Sequence, residues 1–106
     1  MNQDENNPAP VRLGQVVKSK NGRDAGKYFL VYALADDGYV ALADGRYRKT
    51  AAPKRKKTKH VEVLPEIKEG IAEKLKNHQK VFDSEISSAL KIYTKGESPQ
   101  ITSREN

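Results

Sequence analysis

The sequence predicts a mainly β protein: a small barrel of four to five strands, followed by one or two short α-helices. Short runs rich in β-branched and aromatic residues follow one another closely between residues 11 and 64, and glycine-containing turn signals separate them. After Pro65 the apolar spacing changes from that of a strand to that of a helix. Short strands at such close spacing are typical of a small barrel or a strongly curved sheet.

The first strand is expected within residues 11–20, where aliphatic residues end at the turn signal Asn21-Gly22. The second is expected at 28–34, a continuous aromatic and β-branched run that suits a buried strand. It is followed by the turn sequence Asp36-Asp37-Gly38.

The third strand, 39–43, alternates until Asp44-Gly45. Asp-Gly is a strong hairpin signal, because the turn needs positive φ at its central positions. A closing strand is expected at 60–64, where the alternation returns and stops at Pro65.

Two amphipathic helices are expected after the closing strand. The first would start near Pro65, which suits a first helical position, and Ile67, Ile71 and Leu75 would form its apolar stripe. The second would begin near Asp83 or Ser84 as cap. Because isolated helices of this length are marginal in water, each must dock, and the protein's own sheet is the favoured surface.

The organisation that follows is a single small domain with extensions. Residues 11–64 would form the barrel and include a basic loop at 46–59, while 65–94 would form a helical extension. Both ends, 1–10 and 95–106, are polar and without periodic apolar positions, and are expected to be flexible.

Composition excludes several function classes. The 106 residues contain no cysteine, which removes disulfides, thiolate metal sites and cysteine nucleophiles. The start of the chain lacks the pattern of a signal peptide, and no run approaches the roughly 20 apolar residues of a membrane helix. A soluble cytoplasmic protein without cofactor or metal is the simplest expectation.

The basic segment, residues 46–59, holds eight cations and no acid. It accounts for the net charge of +6, because the other twelve Lys and Arg face fourteen Asp and Glu. Such a patch favours a polyanion, since each cation that neutralises a phosphate releases counterions. Solvated loops, localisation signals and membrane-surface contacts are the alternatives, but the segment lies between strand-like patterns, which favours nucleic acid.

A second candidate site lies between Gly14 and Lys27. Gly22 and Gly26 can take unusual backbone angles there while Arg23 and Lys27 present cations to a phosphate chain. The alternative is a plain hairpin loop in which the glycines serve only geometry.

These residues resemble the KOW motif. Asn21-Gly22-Arg23-Asp24-Ala25-Gly26-Lys27, followed by an apolar strand and a strand containing Val40, is similar to the motif found in several ribosomal proteins and NusG-type transcription factors on an SH3-like barrel. The match covers about residues 12–50. Tyr28-Phe29 stands where many KOW proteins have a further glycine, a departure shared by the archaeal and eukaryotic type in the large ribosomal subunit. With its basic segment, the chain looks most like bacterial KOW-containing RNA-binding proteins related to that type.

The resemblance implies RNA binding, with ribosomal RNA or the ribosome and its proteins as partners, by loops at one end of the barrel. The implied contacts from the first loop are Lys18, Lys20, Arg23 and Lys27, and the motif glycines are Gly14, Gly22 and Gly26. The implied contacts from the basic segment are Arg46, Arg48, Lys49, Lys54, Arg55, Lys56, Lys57 and Lys59.

Aromatic residues near these cations could read unpaired bases. Tyr47 lies between Arg46 and Arg48 and could stack on a base. Tyr28 and Tyr32 are weaker candidates, because in so apolar a strand they are more often core residues.

Three other functions are less favoured than RNA binding, and the first of them is the main alternative. A NusG-like transcription-elongation or protein-interaction module would use the barrel face to bind protein. A duplex-DNA binder is disfavoured, because no predicted helix carries a dense basic face. An enzyme is not expected, since only His60 and His78, in different elements, offer general-base chemistry, and the aspartates beside glycines are explained by turns.

Overall fold

The computed structural model describes residues 10–35 and 37–95, and shows a mainly β protein with two helices. Five antiparallel strands form one sheet in the order β4-β3-β2-β1-β5. The strands are β1 Gln15–Ser19, β2 Tyr28–Leu34, β3 Tyr39–Ala43, β4 Lys54–Lys57 and β5 Val61–Ile67. A single 3₁₀ turn, Thr58–His60, joins the last two strands, and the helices are α1 Glu69–Lys76 and α2 Asp83–Lys95. The predicted mainly β class is confirmed.

The sheet buries both of its faces, which explains why β2 is apolar throughout. Neighbouring Val16 and Val17 of β1 are both fully buried but belong to different core clusters, because successive side chains of a strand point to opposite faces. The first cluster joins the sheet to the helices: Val16, Leu30, Ala43, Ile71, Val81, Ile86 and Leu90. The second contains residues from the strands alone: Val17, Phe29, Val31, Val40, Leu42 and Val61.

The second cluster requires a curled sheet. Among the described residues no helix side chain packs on it, yet its members are 0–3% exposed, so the strands, together with Val11 ahead of β1, enclose it. The pairing shifts between Gln15 and Val17 opposite β5, and between Val31 and Ala33 opposite β3. Such irregularities bend a strand and increase its twist. The result is a small barrel-like sheet with helices on its outer face.

Two sequence predictions are wrong at the closing strand. β5 runs through Pro65 to Ile67, which pairs with Gln15, so Pro65 is not the first residue of a helix and Ile67 is not on its apolar stripe. α1 begins at Glu69 instead. The proline is tolerated because β5 is an edge strand, where a missing N–H need not interrupt the ladder.

The predicted basic loop 46–59 also differs from the structure. Its second half contains β4, which pairs with β3 from Tyr39↔Lys57 to Leu42↔Lys54. The segment is therefore a loop followed by an edge strand and a 3₁₀ turn.

The predicted docking of both helices on the sheet is confirmed. At Gly14 (φ +79°) a Cβ atom would lie 2.7 Å from the Cβ of Ala72, so only glycine lets α1 approach so closely. The Gly14 carbonyl also accepts the N–H of Lys68 just before that helix.

Most of the two predicted flexible ends, 1–9 and 96–106, lies outside the described residues, as does Asp36. Neither helix in the described part of the chain is long and apolar enough to cross a membrane.

Candidate nucleic-acid interface

The first loop is a tight structure that presents two cations. Its ends are joined by hydrogen bonds from Ser19 N–H to the Lys27 carbonyl (2.9 Å) and from Gly26 N–H to the Ser19 carbonyl (2.8 Å). Gly22 and Gly26 have φ of +91° and +88°, which L-residues rarely adopt. The glycines thus provide the geometry that leaves Arg23 and Lys27 exposed at the surface.

Asp24 ties this loop to β4. Its Oδ1 accepts from Lys56 Nζ at 2.8 Å and from Ser19 Oγ at 2.7 Å, and Lys54 Nζ lies 3.5 Å from Oδ2. Lys56 Nζ also donates to the Asn21 carbonyl at 2.8 Å, and its side chain is only 8% exposed. Two distant parts of the chain are therefore locked together by a largely buried ion pair.

The environment of Asp24 lowers the pKa of its carboxyl to about 2. Burial on its own would raise that pKa, but hydrogen bonds from Lys56 and Ser19 and the charges of Lys56 and Lys54 favour the carboxylate more strongly. Asp24 is thus an anion that the protein already neutralises.

The second loop is organised by Asp44. Its Oδ1 accepts the backbone N–H groups of Arg46, Tyr47 and Arg48 at 2.8–2.9 Å. The Arg48 carbonyl in turn accepts the N–H of Asp44 at 2.9 Å. The turn role predicted for Asp44 is confirmed, and the loop directs its side chains outward.

Helix α2 supports the same loop from below. A Cβ at Gly45 would lie 2.2 Å from the Asp83 carbonyl oxygen and 2.8 Å from the Ser87 nitrogen, so the loop backbone lies directly on the first turn of the helix. Thr50 N–H donates to Asp83 Oδ1 at 2.7 Å. The helical extension is therefore part of the framework of the basic segment.

The two loops meet at Tyr47, whose side chain is 77% exposed. Lys27 Nζ lies 5.2 Å from the centre of its ring, and the Arg46 guanidinium carbon lies 5.7 Å from it. Exposed cation–π contacts are worth only about 0.5–1 kcal/mol. These cations are therefore free to exchange the ring for a stronger partner.

Two clefts flank Tyr47, Lys27 and Asp44, which line both. The cationic cleft, about 210 Å³ in volume, is completed by Arg23, Asp24, Phe29, Arg48 and Lys54. The helix-side cleft, about 290 Å³, is completed by Tyr28, Arg46, Ser87, Leu90, Lys91 and Thr94.

Not all predicted contact residues join this surface. Lys56 is buried against Asp24, so its charge serves the fold, contrary to its place in the expected contact set. Arg55 pairs with Asp37 at 2.6 Å and lies 4.0 Å above the Tyr39 ring. Lys57 and Lys59 line a separate concavity beside Tyr39. The predicted single patch is thus divided between two places.

The remaining predicted lysines, Lys18, Lys20 and Lys49, line neither of the two clefts. Lys20 and Lys49 are exposed. Lys18 is half-buried, with its Nζ 5.3 Å from the Tyr28 ring, and Tyr28 itself packs on Tyr93 with 5.1 Å between ring centres. Tyr28 and Tyr32 are both partly buried against the first core cluster, which agrees with the core role favoured for them.

Tyr93 fixes the end of α2. Its hydroxyl donates to Glu66 Oε1, and this hydrogen bond, with burial and the nearby negative charge, raises the pKa of Tyr93 to about 12. The same contact, after that of Lys68, lowers the pKa of Glu66.

Sequence reasoning missed the residues that organise the site from a distance. Asp24 and Lys56 are separated by 32 positions, and no local pattern links them. In the sequence, the helix residues Ser87, Lys91 and Thr94 are separate polar positions with no cluster of cations around them. No sequence signal therefore marks them as part of a binding site. Their contribution appears only once α2 is docked on the sheet.

No known family model matches this chain, so the resemblance to KOW proteins stays a prediction from the motif residues. Among residues 10–35 and 37–95, no three His, Asp or Glu side chains converge as a metal site would require.

Proposed function

We propose that this protein binds structured RNA without catalysis, through the surface at which its two cationic loops meet. The observation that carries the proposal is the contact between Lys27 of the first loop and Tyr47 of the second, which unites cations from distant parts of the chain around one exposed aromatic ring. Ribosomal RNA is the first candidate, because the motif residues resemble ribosomal KOW proteins.

The charge of this surface is available to a ligand. Arg23, Lys27, Arg46, Arg48 and Lys49 are all exposed. The two carboxylates beside them are already engaged, Asp24 with Lys56 and Asp44 with three backbone amides. A polyanion approaching the loops thus meets exposed cations and anions that are already neutralised or hydrogen-bonded.

The form of the surface favours RNA over duplex DNA. Proteins that read DNA in the major groove usually insert a helix with basic residues on one face. Here α1 and α2 mix acidic and basic residues, and each packs its apolar face on the sheet. Loops that carry cations and an exposed ring suit irregular RNA, in which backbone turns and unpaired bases lie side by side.

Salt titration of RNA affinity tests the proposal. With about five phosphate contacts, log affinity against log salt should have a slope of about −3.5 to −4.5. The double variant Arg23→Gln/Arg48→Gln should flatten this slope by about 1.4–1.8, since each lost contact removes about 0.7–0.9.

Lys76→Gln/Lys80→Gln is the matched control. These lysines line cavities that share no residue with the two clefts, so the same loss of charge should leave the slope nearly unchanged. Binding independent of salt, or equal effects of both double variants, would remove the proposal.

Competition with duplex DNA tests whether the protein prefers RNA. Co-sedimentation with ribosomes would support the ribosomal role, whereas co-purification with RNA polymerase would support a NusG-like role.

A further inference from the structure

We propose that the helix-side cleft holds one unpaired base of the bound RNA, stacked on Tyr47. This inference rests on the proposed function and extends it, because it names a bulged or single-stranded nucleotide as the element that is recognised. It also gives α2 a direct part in binding.

The two clefts differ in chemistry in the way that the two parts of a nucleotide differ. The cationic cleft is lined by Arg23, Arg48 and Lys54, which suit a phosphate. The helix-side cleft has apolar walls from Leu90 and the Tyr28 ring. Its volume of about 290 Å³ lies just below the roughly 300 Å³ at which the usual range of ligand pockets begins, which suits a ligand as small as one base.

Tyr47 stands between the clefts and provides the stacking surface. A base on its ring would displace Lys27 or Arg46, whose exposed contacts with the ring are weaker than base stacking. The displaced cation would remain beside the phosphates on either side of the base. Lys91 of α2, which is exposed, adds a third cation to the same cleft.

The polar groups of the cleft favour an unpaired base without selecting one base. Ser87 and Thr94 offer hydroxyls that can both donate and accept, so they can pair with the edge of any base. Within the described residues the Thr94 hydroxyl makes only long contacts of 3.3–3.4 Å, to carbonyls of its own helix, and it can turn towards a ligand. A base inside a helical stem has its faces stacked and its edge paired, so the cleft excludes it.

The test compares two synthetic RNA hairpins, one fully paired and one with a single bulged 2-aminopurine. The bulged hairpin should bind more tightly and its fluorescence should change on binding. Tyr47→Ala should lower the affinity for the bulged hairpin by about 5- to 150-fold, which is the range expected for the loss of one stacked base. The affinity for the paired hairpin should stay nearly unchanged. Tyr47→Phe, which keeps the ring, should behave as the parent.

A second pair of variants tests the cleft itself. Thr94→Trp places a large side chain in the cleft, whereas Ser88→Trp places it on an exposed position of the same helix. Only Thr94→Trp should abolish the fluorescence change.

The outcomes separate the two proposals. Equal affinity for both hairpins, or an equal loss for both with Tyr47→Ala, would overturn the base site and leave RNA binding standing. If neither hairpin nor ribosomal RNA binds, both proposals fall together.

Discussion

The basic segment contains two cationic runs, a loop half at 46–49 with three cations and a strand half at 54–57 with four, and they use their charge differently. The first half presents its side chains to solvent from a loop. In the second half, which is strand β4, Lys56 is buried against Asp24 and Arg55 pairs with Asp37. The number of cations in the sequence is therefore larger than the number available to a ligand. The cations that are not available, such as Lys56, stabilise the fold instead.

The halves are also held by different parts of the molecule. The loop half is held on the first turn of α2 by the residues on either side of it, Gly45 and Thr50. The strand half pairs with β3 and is tied to the first loop through Lys56. Substitutions can therefore disturb one half and leave the other in place.

The largest effect on stability is expected from Gly45→Ala, which disturbs the contact between the loop half and α2. The new Cβ would take a left-handed φ of +79° and lie 2.2 Å from the Asp83 carbonyl oxygen. The strained backbone and the overpacking should together lower the free energy of unfolding by about 2–5 kcal/mol, measured by urea denaturation.

Gly38→Ala is its control. It has a similar φ of +86° but no atom within 4 Å of the new Cβ, so only the backbone cost of about 1–2 kcal/mol applies. Equal losses for the two variants would show that the loop does not press on α2.

Lys56→Met removes the ion pair that holds the strand half. It should lower the free energy of unfolding by about 2–3 kcal/mol. Removing one partner of a buried ion pair leaves the other charge uncompensated, and Asp24 retains some contact with solvent that moderates the cost. Lys57→Met, at an exposed neighbouring position, should stay within about 0.5 kcal/mol. If both variants unfold at the same urea concentration, the Lys56 pair does not stabilise the fold.

Low pH should weaken the ion pair between Asp24 and Lys56. Because the pKa of Asp24 is lowered from 3.8 to about 2, the carboxylate contributes stability that is complete above pH about 4 and lost as the pH falls towards 2. The contribution should be about 1–2 kcal/mol, since solvent still reaches part of the pair. Asp24→Asn should remove this part of the pH dependence in denaturation measured between pH 2 and 5, and an unchanged acid profile would contradict the assignment.

The smallest effect is expected in RNA affinity. Variants of the two halves should differ there, while neither variant should change the stability of the fold. Arg48→Gln should reduce the salt slope of RNA affinity by about 0.7–0.9, because in the proposed complex its exposed charge would neutralise one phosphate. Arg55→Gln should reduce it less, since its guanidinium is shared between Asp37 and Tyr39. Both should leave the unfolding free energy within about 0.5 kcal/mol. A larger slope change for Arg55→Gln would move the interface to the β4 side.

Local patterns predicted the parts of the fold that local patterns determine. β2 and β3 have the predicted bounds, because each is an apolar run that ends at a turn signal. β4 was missed as a strand, since Lys-Arg-Lys-Lys has no apolar alternation and forms a strand only by pairing with β3. Strand formation there is a tertiary effect.

The site was predictable to the same extent. Exposed cations such as Arg23 and Arg48 follow from composition and turn signals. The buried role of Lys56 and the support from α2 depend on contacts between residues more than 30 positions apart, which no short pattern contains.

The single oxygen of Asp44 that accepts three successive backbone amides has a thermodynamic consequence. Concave rows of amides of this kind usually receive an external anion, and here the chain supplies its own. The loop is therefore ordered before any ligand arrives, and association costs little conformational entropy at residues 45–48. Binding should accordingly show only a small heat-capacity change, in contrast to the large one of a basic tail that folds on its target.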